Sequence, residues 1–502
     1  MLPKLSHLTT PQSLVSHLWH TLSLPSSFVS SLHFTTPPFA PTPPFSSSSF
    51  KLDLLATSTI ALFTLLVSHY RALISTPPGH FLLPKSTVDT LAASLEFKSE
   101  RLYTLNGASQ PAPSSIGGLH RTSDGYVRIH DGFHVHRDNV RRILNLPPKA
   151  GRAEVAAACL EWKARELEEA AAKGGAIVSA LRSEEEWEST AMGKGASDFP
   201  IAIRGLGGGG RVRQEEARRD GGKGCLSGLR VVELSRVIAA PVAGRALAAH
   251  GADVLWVTSP RLEDQPYLDA EFSRGKRSVR LDLDIAEDVE KLIALVRDAD
   301  VFIQGYRPGS LVKKGLGPEQ LREINPKLVY ASLSAYPPVE EQPWRERRGF
   351  DSMVQTCSGI NVAEAEAWNA VAKEEEKVPA RVLPCQALDH GSGFLLASGI
   401  VAALCRRIEN GEGQLVEVSL AGTGKFLRLL GQRDGGFETG LGVNSYQEVL
   451  EKYGRDAEGL FEERQSELGT MRFLKHAGRI EGAEVGWERM PRPLGSDEPV
   501  WL

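Results

Sequence analysis

From residue 228 onward, apolar positions fall into short continuous runs separated by stretches of helical spacing. The runs Leu229–Leu234, Ala252–Val257, Ser278–Leu283, Val301–Ile303, Leu328–Leu333 and Gln414–Leu420 predict strands. Between them, Pro241–His250, Ala286–Val296 and Pro318–Ile324 predict helices, and the apolar stretch after Asp389 predicts a longer one with Arg406 and Arg407 in its last turn. Such alternation implies an α/β fold built on an open, mostly parallel, Rossmann-like sheet with helices on its faces. Ligands of such sheets bind beyond the carboxyl ends of the strands, which directs attention to 235–241, 258–276, 305–309 and 334–351.

Upstream the pattern changes. Pro11–Leu22 predicts an amphipathic helix, followed by a Pro/Ser-rich loop through Pro37, Pro38, Pro41, Pro43 and Pro44. A helix is expected from Phe50 to about Leu73, ended by Pro77-Pro78-Gly79, and then a short strand running into a helix over 86–102. The apolar run Leu52–Val67 is too short and too polar for a convincing membrane span, so a buried helix is expected. Around Asp124-Gly125, two extended runs within His120–His130 predict a hairpin. Helical stretches at Asp138–Leu144 and Ala153–Ala172 and a strand with a turn at Val178–Trp187 complete that unit.

Asp53 ahead of an apolar helix, then Val88-Asp-Thr-Leu-Ala-Ala93, echoes Asp389 ahead of its helix, then Val416-Glu-Val-Ser-Leu-Ala421. The reading is a degenerate internal repeat. It divides the chain into a partial first copy (1–112), a small α+β domain (113–204), a Gly-rich and charged linker (205–227), a large domain (228–432) and a C-terminal extension (433–502) that matches no pattern beyond a Pro491-Arg-Pro-Leu-Gly-Ser-Asp497 tail read as a loop. The four adjacent glycines of Gly207–Gly210 are read as linker rather than phosphate loop, with no strand expected before them and no apolar helix after.

Composition narrows the function. With 41% hydrophobic and 24% charged residues and a formal net charge of -4, the chain is of ordinary globular type and carries no general attraction for nucleic acid. Five cysteines without close pairing argue against a disulfide framework or zinc site and fit a reducing compartment. The first 50 residues lack the order of a signal peptide and contain no arginine. A cytoplasmic address is expected, with mitochondria and peroxisomes left open.

The stretch Ala387-Leu-Asp-His-Gly-Ser-Gly393 places one carboxylate among small residues at a helix start. Taken alone, Asp389 reads as an N-cap. The segments Leu229-Arg-Val-Val-Glu-Leu-Ser-Arg-Val-Ile-Ala-Ala-Pro241, His250-Gly-Ala-Asp-Val254, Gly275-Lys-Arg-Ser-Val-Arg-Leu-Asp282, Tyr306-Arg-Pro-Gly309, Arg348-Gly-Phe-Asp351, Ala387–Gly393 and Gly413-Gln-Leu-Val-Glu-Val-Ser-Leu420 change that reading. In this order they resemble the family III CoA-transferases, the formyl-CoA and carnitine CoA-transferase group, which also includes the α-methylacyl-CoA racemases. The resemblance spans about Leu226 to Gly431 and makes the chain similar to a rearranged, double-unit member.

The resemblance implies transfer of CoA from an acyl-CoA to a carboxylic acid, with Asp389 as nucleophile, an aspartyl anhydride and an aspartyl-CoA thioester as intermediates, and no metal. It implies CoA contacts at Val237, Ile238, Ala239, Lys276, Arg277, Arg307, Lys313 and Arg348, with acyl-CoA and a carboxylic acid as the partners and no membrane or nucleic acid. Two rival expectations are an α-methylacyl-CoA racemase, which needs a His where Phe350 stands, and an inactive CoA-binding homologue. His390, beside Asp389, is expected to point elsewhere. Single-unit relatives form interlocked dimers, so the expectation is a pseudo-dimeric monomer, with Phe50–Leu102 standing in for a second subunit, or else a homodimer.

Overall fold

The computed structural model describes residues 5–40, 45–75, 84–110, 114–207, 223–339, 343–433, 437 and 442–502. Pro41, Pro43, Pro44, the 77–79 break and most of the expected linker lie outside the described residues.

Valine, leucine and isoleucine dominate the strands after residue 228 because both faces of the sheet are covered. Six strands run parallel in the spatial order Arg277–Arg280, Asp253–Thr258, Arg230–Leu234, Val301–Gln304, Val329–Ser334, Gly413–Ser419. A seventh, Ala202–Gly207, closes the far edge in antiparallel register with Gly413–Ser419. It leads directly into the tetraglycine, so the expectation that no strand precedes those glycines is wrong; Gly205, Gly207 and Leu206 belong to the sheet rather than to a linker. The chain starts in the middle of the sheet, builds outward to Arg277–Arg280, and then crosses back to Val301–Gln304. That reversal leaves a crevice beyond the carboxyl ends of Arg230–Leu234 and Val301–Gln304.

One face of the sheet is covered by Ala286–Arg297 and Pro318–Ile324, whose Leu292, Leu295, Val296 and Leu321 meet Val232, Leu255 and Phe302. The other carries Ala239–Ala249 and the 24-residue helix Ala387–Asn410, against which the 24-residue helix Leu52–Ser75 packs. Both long helices are apolar and long enough to cross a membrane, and the apolar stretch of each is buried here. For the first, the length exceeds the expected run, and burial in the protein accounts for its composition.

The helix, strand and helix of Leu52–Ser75, Ser86–Asp89 and Thr90–Glu96 follow the same order as Ala387–Asn410, Gly413–Ser419 and Leu420–Leu430. The small domain pairs Gly118–Arg121, Tyr126–Ile129 and Val178–Ala180 in one antiparallel sheet under three helices. Its expected helix over 153–172 is broken at Leu160–Lys163 into Arg152–Cys159 and Ala164–Gly174.

The Pro491–Asp497 tail is a loop, as expected, but strands precede it in the C-terminal extension. Phe461–Ser466 and Gly469–Leu474 form a hairpin that pairs with Thr104–Leu105, while Gly478–Ile480 pairs with Ser86–Asp89. Met471, Phe473 and Ile480 enter the main core, so these strands exist because they bury apolar side chains that the N-terminal segment alone leaves uncovered. Residues near the end then follow the outer strand, where the Ser278 N–H donates to Asp497 (2.8 Å) and Trp501 Nε1 donates to the Leu295 carbonyl (3.1 Å).

A buried charge cluster ties these segments together. Glu271 pairs with Arg245 and Arg274; Arg245 lies 3.8 Å from Glu96, and Glu96 meets His476 at 3.0 Å. Arg274 also stacks on Trp487 with 3.8 Å to the ring centre. Glu96 comes from the N-terminal segment, Arg245 and Glu271 from the large domain, and His476 from the C-terminal one. Truncating Glu271 strands two buried guanidinium groups, so Glu271→Ala should lose about 3–5 kcal/mol of unfolding free energy. Denaturant titration checks this, and Glu271→Gln should recover part of the loss.

Candidate active site

Asp389 lies in the first turn of Ala387–Asn410, with 6% of its surface exposed. It is not the cap. Gln386 is the N-cap residue and makes no side-chain cap bond. The helix start is held instead by Asp351, whose Oδ2 accepts the N–H groups of Leu388 (2.8 Å) and Asp389 (3.0 Å). Gln355 donates to the other oxygen of Asp351 and accepts from Leu383 N (3.0 Å) and Asn361 Nδ2 (3.0 Å).

Two further close approaches fix the helix. A methyl group on Gly393 would sit 2.5 Å from the Ala239 carbonyl oxygen and 2.5 Å from Val242 Cβ. Only glycine allows this crossing, which sets Asp389 against the loop that ends strand Arg230–Leu234. In that loop Val237 adopts φ 71°, a left-handed conformation that a β-branched side chain resists.

Asp389 stands between two cavities. The smaller, about 300 Å³, fills the crevice at the sheet reversal and is lined by Val237, Ile238, Ala239, Tyr306 and three arginines, Arg236, Arg307 and Arg348. Arg236 donates to the Glu263 carbonyl and lies 4.6 Å over the Phe133 ring. Burial, and then the neighbouring Arg307, lower the pKa of Arg348. His136, on the same wall, is pushed down to about 3 by burial, then by His130 and the arginines, and is neutral.

The larger cavity, about 580 Å³, is shared by four parts of the chain. Glu100 and Arg101 come from the N-terminal segment, Arg128, His130 and Asp131 from the small domain, Phe350, Asp351 and Gln386 from the large domain, and Asn444 from beyond it. His130 stacks on Phe350 with ring centres 3.9 Å apart, and burial lowers its pKa to about 4. Glu100 meets His390 Nε2 at 2.9 Å, so His390 is turned away from the cavity toward that buried carboxylate, as its place on the helix implied.

Burial raises the pKa of Asp389 well above the usual carboxylate range, with the charges of Asp351 and Glu100 adding to the rise. Asp351 keeps its charge more readily because it accepts two backbone N–H groups and an amide. Burial raises the pKa of Asp351 as well, to about 6, and of the pair Asp389 gives up its proton less readily, its ionised form being poorly solvated.

Five of the eight expected CoA-contact residues, Val237, Ile238, Ala239, Arg307 and Arg348, meet around the smaller cavity with Asp389. Three do not. Lys276 is wholly buried, its ammonium held by Glu233 (2.8 Å) and the Pro241 carbonyl (2.9 Å) over the Trp256 ring. Arg277 forms a two-pronged pair with Asp253 (3.0 and 2.8 Å) and donates to the Val500 carbonyl (2.7 Å). Both lie at the start of their strand rather than beyond its carboxyl end. Lys313 is exposed, 4.0 Å from Glu346, and lines neither cavity. Asp53, the counterpart of Asp389 in the expected repeat, is committed to structure: it accepts from Phe45 N (3.0 Å) and Ser46 Oγ (2.5 Å) and pairs with Arg433 (3.4 Å).

Residues 226–431 match the model of CoA-transferase family III. Over 208 residues, 39% of this chain and 50% of that protein, the chain is 35% identical to a probable fatty acyl-CoA transferase of Mycobacterium tuberculosis. It is 34% identical to a succinate–glutarate CoA-transferase of Agrobacterium fabrum over 213 residues, covering 39% and 50% of the two chains. A solved CaiB/BaiF family protein from Brucella suis shares 32% identity over 40% of this chain and 55% of that one, with a TM-score of 0.35. Through residues 226–431 the chain is thus similar to the CoA-transferases of family III. It spans about half the length of the curated relatives it matches.

The charge environment of Asp389 gives a pH prediction. A raised pKa keeps the carboxyl protonated at low pH, so kcat/KM should rise with pH along a limb above the ordinary carboxylate range. Glu100→Gln removes one of the charges that resists ionisation, so the limb should move to lower pH. A pH–rate profile of the two proteins checks the direction of the shift.

Proposed function

We propose that the protein is a CoA-transferase in which Asp389 is the nucleophile, CoA occupies the arginine-lined cavity, and the acids exchange in the larger one. The observation that carries this reading is the position of Asp389, buried at the junction of the two cavities with its backbone N–H held by Asp351. The three arginines that line this cavity suit the phosphates of CoA.

The chemistry follows from a carboxylate meeting a thioester. An Asp389 carboxylate oxygen attacks the acyl carbon, the C–S bond breaks, and an acyl-aspartyl anhydride and a CoA thiolate result. The thiolate attacks the aspartyl carbonyl of the anhydride, giving aspartyl-CoA and releasing the first acid as its carboxylate. The second acid attacks aspartyl-CoA and forms a new anhydride, and the thiolate then takes the new acyl group and frees Asp389. No net proton is gained or lost, and water has to be kept from both activated intermediates. Burial of Asp389 serves that exclusion and raises the basicity of the attacking oxygen.

The racemase reading has one observation in its favour: His130 brings an imidazole beside Phe350, where that chemistry needs one. A racemase exchanges the α-hydrogen of its acyl-CoA with deuterium from solvent, whereas the transferase reading expects no exchange. We further propose that Phe50–Leu102 fills within one chain the place of a second subunit, since Glu100 and Arg101 reach the Asp389 cavity from that segment. Light scattering should then give one chain of 54.6 kDa rather than two.

A transfer assay between acyl-CoA donors and carboxylic acids tests the main reading. Asp389→Ala and Asp389→Asn should abolish transfer, because neither supplies an oxygen nucleophile that survives turnover. Full activity in Asp389→Ala overturns the covalent route. Arg307→Ala and Arg348→Ala should each raise KM for acyl-CoA roughly tenfold with kcat little changed, since phosphate contacts act equally in ground and transition states. Lys276→Met should lower stability instead, leaving that KM near the wild-type value.

A further inference from the structure

The alternation of strand Tyr126–Ile129 turns Val127 and Ile129 into the core of the small domain and leaves Arg128 on the other face. There it lines the larger cavity together with His130, Asp351 and Asp389. Its Nε donates to Thr356 Oγ1 at 3.1 Å, and that hydroxyl lies 2.9 Å from Asn361 Oδ1. Asn361 in turn donates to Gln355, the residue that holds Asp351. The guanidinium is thus oriented by the same polar chain that positions the start of the Asp389 helix. Among the described residues, no hydrogen bond or ion pair reaches its two Nη groups.

The other charges of this cavity are already matched. Arg101 lies 3.5 Å from Glu100 and donates to Asn444 (3.0 Å) and the Pro384 carbonyl (3.2 Å). Glu100 meets His390. Asp131 accepts from Ser115 N (2.6 Å) and Ile116 N (2.9 Å), and Asp351 from the helix start. What is left is a planar fork with two open donor groups, in the cavity where the reacting acid has to bind. Such a fork matches a carboxylate in two-pronged geometry.

We infer that Arg128 binds a second carboxylate on the acid, so that the acid exchanged at Asp389 is a dicarboxylic acid. This rests on the CoA-transfer reading and narrows its substrate class. One carboxylate reacts at Asp389 while the other is held by the Arg128 Nη groups, which sets the length of chain between them. A monocarboxylic acid leaves the guanidinium unpaired in a half-buried site, and that cost is the source of selectivity.

The test compares glutarate with valerate, acids of equal chain length that differ by one carboxylate. In transfer assays, the wild type should prefer glutarate, and Arg128→Gln should lower the glutarate-to-valerate ratio of kcat/KM by roughly tenfold or more. Arg128→Lys, which keeps the charge but not the fork, should restore part of the ratio, a rescue that a merely structural role does not predict. A ratio that Arg128→Gln leaves unchanged overturns the inference. Calorimetry on the resting protein separates this from failure of the transferase reading: glutarate should bind the wild type, and Arg128→Gln should abolish that binding even if no CoA is ever transferred. Equal binding of glutarate and valerate by the wild type also overturns it.

Discussion

Burial of the apolar stretch of the helix Ala387–Asn410 is the constraint on which the rest of the molecule depends. A 24-residue apolar helix needs cover on every side, and no single neighbour provides it. The sheet and Ala239–Ala249 supply part of the cover, and the helix Leu52–Ser75 supplies another large part. The contact with Ala239–Ala249 is close enough that Gly393 has no room for a methyl group. The N-terminal segment thereby becomes part of the core, the C-terminal strands come in to complete its sheets, and the buried cluster of Glu96, Arg245, Glu271 and His476 locks all three parts together.

The same packing produces the chemistry. The packing buries Asp389 at the helix start, and Asp351 takes up N–H groups that otherwise stabilise an ionised Asp389. The result is a carboxyl group whose charged form is costly and reactive, set between an arginine-lined crevice and a polar chamber. Strain at Val237 belongs to this arrangement, since the loop that bears it forms part of the wall of both cavities.

The large domain was legible in the sequence because strands buried on both faces leave continuous apolar runs, and the observed strands start within a residue of the expected ones from Leu229 to Gly413. Asp389, the Val237–Ala239 loop, Arg307 and Arg348 were legible through the ordered motifs. Lys276 and Arg277 were misread because closeness to a strand in sequence does not say which end of it a side chain occupies. Glu100, Arg101, Arg236, Arg128, His130 and Asn444 were missed. Most of these reach the site through the packing of distant segments, which no local pattern records. Arg128 and His130 did leave a signal, an alternation opposite Val127 and Ile129. The strands after residue 460 were hidden because each is short and pairs with a partner hundreds of residues away.

The claim that a covalent intermediate forms on Asp389 can be tested on the protein itself. The protein is incubated with an acyl-CoA, reduced with borohydride and digested, and the peptide that contains residue 389 is sequenced by tandem mass spectrometry. An aspartyl thioester is reduced to the side-chain alcohol, so the account predicts homoserine at position 389 only when acyl-CoA is present, with Asp53 unmodified in the same digest. An unmodified Asp389 under turnover conditions, or modification at another carboxylate, contradicts it.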